Sequence, residues 1–78
     1  MSETLELTKF CKHVEAFFSN YQLKYLRDDK GYIYSVEIRA NNDIFDTTFL
    51  RFLFDSVKNY VIIITDDSAC RPVVQIID

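Results

Sequence analysis

"DTTFLRFLFDSV", residues 46–57, decides between two folds. Read as a strand, Phe49, Arg51 and Leu53 alternate against Leu50, Phe52 and Phe54. Read as a helix at ~100° per residue, Phe45, Phe49, Phe52, Leu53, Ser56 and Tyr60 gather on one side. The helix is the expectation, because Asp46 or Asp43 can cap it and Asp55-Ser56-Val57-Lys58 continues it. Leu50, Phe54 and Val57 then widen the apolar arc to roughly 200°, where a surface helix needs ~100° or somewhat more. Arg51, Asp55 and Lys58 alone form the polar side. Two explanations of this excess compete. A neighbouring helix covers Leu50 and Phe54, or the two residues stay exposed and bind another chain.

Towards the N-terminus, Leu7, Phe10, Cys11, Val14, Phe17, Phe18 and Tyr21 recur every three or four positions. This predicts a helix of about four turns facing a core. Ser2 is its expected cap, with Glu3 and Glu6 against the positive end of the dipole. "QLKYLRDDKGYIYSVEIRA", residues 22–40, reads as a hairpin turning at Asp28-Asp29-Lys30-Gly31, with the only Gly where a left-handed residue is wanted. Pairing Arg27 with Tyr32 sets Tyr25 opposite Tyr34 and Leu23 opposite Val36, all on one face.

Beyond the second helix, "YVIIIT", residues 60–65, is an unbroken apolar run of the kind that suits a central strand covered on both faces. After the turn Asp66-Asp67-Ser68-Ala69, residues 70–77 make a fourth strand. Pro72 argues for a sheet edge or a bulge there. The expected fold is α+β: a two-layer sandwich of order α-β-β-α-β-β, with two helices on one face of a four-stranded, mainly antiparallel sheet. It forms one domain, 1–78, of two α-β-β units of about 40 residues with no evident residue-level similarity.

Composition narrows the function. With 49% hydrophobic and 27% charged residues the chain is rich in core material, which argues against disorder. The net charge of −3 comes without a basic stripe, which argues against nucleic acid as the main partner. No apolar run approaches the ~18 residues of a membrane span. Cys11 and Cys70 stand alone without a secretory signal, so reduced thiols and a cytoplasmic location are expected. Phe, Tyr, Ile, Asn and Lys outnumber Gly, Ala, Pro and Arg, a bias towards AT-rich codons common in bacteria, phages and mobile elements.

Chemistry is sparse. The lone His13 has no ligand or catalytic partner at a useful spacing, and Cys11 reads as a small core residue. Cys70 sits beside Arg71 without a base nearby. One Gly cannot make a phosphate loop. No catalytic residue, metal site or cofactor is expected. The acidic pairs Asp28-Asp29 and Asp66-Asp67 suit turns, and they also present negative charge to a basic partner.

The expectation is a non-catalytic protein-binding module, a small inhibitor or regulator of a larger, basic or nucleic-acid-handling protein. Leu50 and Phe54 would anchor it, with Asp28, Asp29, Asp66 and Asp67 at the rim. A phage- or mobile-element-encoded inhibitor of a host defence complex fits the size and composition, as does an immunity protein or antitoxin. A homodimer is a further option. From a different class, a small nucleic-acid-binding domain would stack bases on Tyr25 and Tyr34, with Lys24, Arg27 and Arg39 around them.

Overall fold

In the computed structural model, residues 2–77 are described, with side chains from Leu7 to Ile77. The side chains of Ser2, Glu3 and Glu6, on which the expected cap and first-turn charges rest, lie outside those described. The order is α1 (Ser2–Phe17), β1 (Tyr21–Arg27), β2 (Ile33–Ala40), α2 (Thr47–Ser56), β3 (Val61–Asp66) and β4 (Pro72–Ile77). The strands form one antiparallel sheet in the order β1-β2-β4-β3. The expected α+β architecture is therefore present, and residues 46–57 are helical.

The core lies between helices and sheet. Phe10, Val14, Phe49 and Leu53 come down from the helices onto Val36, Ile38, Val74 and Ile76, all buried. Alternation along each strand sends the intervening residues to the other face. Helix α1 ends sooner than its apolar stripe: Phe17 is 72% exposed, and Tyr21 is buried as the first residue of β1.

The central pair of strands corrects the sequence reading. Strand β3, expected in the middle, is an edge, with Val61 and Ile64 more than half exposed. Strand β4 lies inside. There Val74 and Ile76 are fully buried, and β2 pairs with it from Ser35–Ile77 to Ile38–Val74. Pro72 falls beyond that stretch and pairs only with Asp66 of β3. Its missing N–H is accommodated at the strand's end rather than at the sheet's edge.

The first hairpin is also shifted. Tyr25 faces Val36 and Leu23 faces Ile38, two residues from the expected register, with a bulge at Leu26/Arg27. A slip of two preserves which face each side chain takes, so the apolar face is as expected. The Tyr25–Tyr34 pair is not formed.

Residue-level likeness between the halves, absent from the sequence reading, is plain in the hydrogen bonds. In the first hairpin the Asp28 N–H donates to the Tyr32 carbonyl and the Gly31 N–H to the Asp28 carbonyl. Asp28 Oδ1 accepts from the N–H groups of Lys30 and Tyr32. In the second hairpin, Asp67 makes the same four bonds with Arg71, Cys70 and Ala69. The helix exits repeat as well: Phe18 to Val14 and Tyr21 to Phe18 match Val57 to Leu53 and Tyr60 to Val57. Every match is offset by 39 positions, and at that offset Thr8/Thr47, Phe10/Phe49, Asn20/Asn59, Tyr21/Tyr60 and Asp28/Asp67 are identical. The bulge in β2 alone moves the offset by one, so that Val36 matches Val74 and Ile38 matches Ile76.

The halves thus meet about an approximate two-fold axis. In the sheet it passes through the Glu37–Gln75 pair, flanked by Val36–Ile76 and Ile38–Val74. In the helix layer it passes between the equivalent residues His13 and Phe52, whose rings lie 4.5 Å apart.

Candidate interaction surface

Helix α1 covers only one flank of α2. The ring of Phe52 stacks on Phe10 at 5.4 Å and on Phe18 at 5.6 Å, while His13 closes the seam. At ~100° per residue Leu50 and Phe54 point to the opposite flank, away from α1. Leu50 is half-buried against the core, whereas Phe54 remains 45% exposed. Cover by the neighbouring helix therefore does not explain the apolar excess, since α1 meets Phe52 rather than Leu50 and Phe54; exposure holds for Phe54 and only in part for Leu50.

The equivalent flank of the first half is polar instead. There the Tyr25 hydroxyl donates to Glu15 Oε2 at 2.8 Å, beside the buried Cys11. Burial, and then the bond to Glu15, push the Tyr25 phenol well above its ordinary range. Burial likewise raises the Cys11 thiol to about 11. At the matching positions of the second half stand Phe54 for Glu15, Ile64 for Tyr25 and Leu50 for Cys11. A hydrogen-bonded polar lid is replaced by apolar side chains, of which Phe54 and Ile64 are 45% and 57% exposed.

The expected acidic rim is divided in role. Asp28 and Asp67 hold their turns through Oδ1, an arrangement Asp favours because its short carboxylate reaches N–H groups two and four residues on. Asp67 also pairs with Arg39 across the sheet. The N–H of Arg71, followed by the Arg39 guanidinium, lowers its pKa below the ordinary carboxylate value. Asp29 and Asp66 are exposed. A further ion pair, missed in the sequence, joins Arg71 Nε to Asp43 at 3.0 Å and ties the α2 approach to the second turn. Asp46 occupies the N-cap position of α2 but makes no side-chain cap bond; the Asp46 N–H donates to the Tyr21 hydroxyl instead.

Tyr25 faces α1 and Tyr34 lies at the bulge beside the first turn, so they do not form one stacking platform. Cys70 is exposed and Cys11 buried, and both thiols are free. Among the described residues no cluster of His, Cys, Asp and Glu could hold a metal ion. Among the described residues no helix is long and apolar enough to cross a membrane. Comparison with protein-family models, curated proteins and solved structures returned no match.

Proposed function

We propose that the chain is a non-catalytic protein-binding module that contacts a larger partner through the α2–β3 flank. The observation that carries this reading is the exposure of Phe54 and Ile64 where the first half holds the Tyr25–Glu15 hydrogen bond. Fully burying an exposed side chain of this type contributes ~1.5–3 kcal/mol, and covering the surface that Phe54 and Ile64 leave open contributes a part of that at each, with Leu50 beside them. Asp66 and Asp67 supply negative charge beside this flank, whereas Asp28 and Asp29, in the turn at the opposite corner of the sheet, do not border it. That layout favours a basic partner and association that weakens with salt. Inhibition of a nucleic-acid-handling or defence complex, from a phage or mobile element, is the finer form of the proposal. It is supported by size, charge and codon bias alone.

The test is capture with immobilised protein, wild type against Phe54→Asp, after circular dichroism shows both folded. The expected result is a partner held stoichiometrically by the wild type, released by salt and lost with Phe54→Asp. Equal capture by both would overturn the assignment of this surface.

A further inference from the structure

The two edges of the sheet are equivalent in position and opposite in character. On the outer face of β1 stand Gln22, Lys24 and Leu26; the matching positions of β3 are Val61, Ile63 and Thr65. Lys24 is a usual safeguard of an open edge, because a strand pairing there must desolvate or face its charge. Strand β3 has Ile63 instead, 38% exposed, with Val61 beside it at 59%. No charge stands between Lys58 and Asp66.

We propose that β3 pairs antiparallel with β3 of a second copy of this chain, joining two four-stranded sheets into one. Charge selects this occupant and this direction. The strand is preceded by the exposed Lys58 and ends on the exposed Asp66, so two identical strands running oppositely bring unlike charges together at both ends. Running parallel, they would set like against like. A two-fold axis perpendicular to the sheet keeps both helix layers on one side, as the axis through Glu37–Gln75 does within the chain. Centred on Ile63, the ladder sets Val61 opposite Thr65 and Ile62 opposite Ile64, with Lys58 of each copy near Asp66 of the other. The equivalent pairing of β1 would be centred on Lys24 and set one lysine against another. This inference does not rest on the partner-binding reading, since it uses the strand edge rather than Phe54.

The test is solution mass by light scattering from about 1 µM to 1 mM, the range in which short interfaces associate. The wild type is expected to move from 9.2 kDa towards twice that mass. Ile63→Lys copies the β1 edge and should remain at 9.2 kDa while keeping its circular dichroism. Lys58→Glu or Asp66→Lys alone should weaken the dimer about tenfold, and the two together should restore it. A mass of 9.2 kDa throughout the range would overturn the inference, while leaving capture through Phe54 untouched. So would a dimer indifferent to Ile63→Lys or to the single charge reversals, which is the behaviour of stacked sheet faces.

Discussion

At the scale of single residues the two turns are the most informative comparison. Gly31 and Cys70 occupy the same position with φ of 88° and 62°. A side chain there costs ~1–2 kcal/mol, a strain Gly avoids. Cys70→Gly is therefore expected to raise stability by ~0.5–1 kcal/mol in urea unfolding, and Gly31→Ala to lower it by ~1 kcal/mol. Beyond its chain neighbours, nothing lies within 4 Å of the Cβ that Gly31→Ala would add, so the effect would come from the backbone alone. Asp67 adds a pH dependence. Its folded pKa lies below the ordinary 3.8, so the unfolded chain binds the proton first as pH falls. The stabilisation is present above that ordinary value and is lost as pH drops through the folded value. Urea unfolding of wild type and Asp67→Asn should differ most at neutral pH and converge in acid. A gap that is constant with pH would show that the carboxylate's charge plays no part.

At the scale of elements, α2 is a helix with three kinds of apolar residue. Phe49 and Leu53 are fully buried, Phe52 fills the seam with α1, and Phe54 faces solvent. Phe52→Ala is expected to cost ~3 kcal/mol, because it empties a stacked position between Phe10 and Phe18. Phe54→Ala should cost less than ~1 kcal/mol. Similar losses for the two would mean that Phe54 belongs to the core. The helix itself was legible from the sequence, since Asp46 offered a cap and Asp55-Ser56-Val57-Lys58 continued the helical pattern, although the helix ends at Ser56. Which flank of it stays open was not, because that depends on where α1 crosses. Strand order was hidden for a related reason. The unbroken run in β3 carries the local signature of a central strand, yet β4, interrupted by Pro72 and Gln75, takes the centre. That choice comes from the non-local pairing of β4 with β2, about which a local pattern is silent. In the first hairpin the turn chemistry at Asp28 and Gly31 was readable. The bulge beside it was not, and the register moved by two.

At the scale of the whole molecule, one α-β-β unit is used twice about a two-fold axis, with the backbone bonds retained and the outer side chains changed. Seven identities, two of them displaced by the bulge, in halves of such different surface are too few to catch the eye without the hydrogen bonds that align them. The first half carries the Tyr25–Glu15 hydrogen bond on its flank and Lys24 on its edge. The second leaves Phe54, Ile64 and Ile63 open at the matching places. On the readings proposed above, that asymmetry makes α2 and β3 the interaction side, and amide hydrogen exchange measured residue by residue tests the β3 pairing most directly. Exchange in β3, Val61–Asp66, should slow as protein concentration rises, while β1, Tyr21–Arg27, stays unchanged. Slowing in β1 instead, or in neither strand, would contradict the pairing.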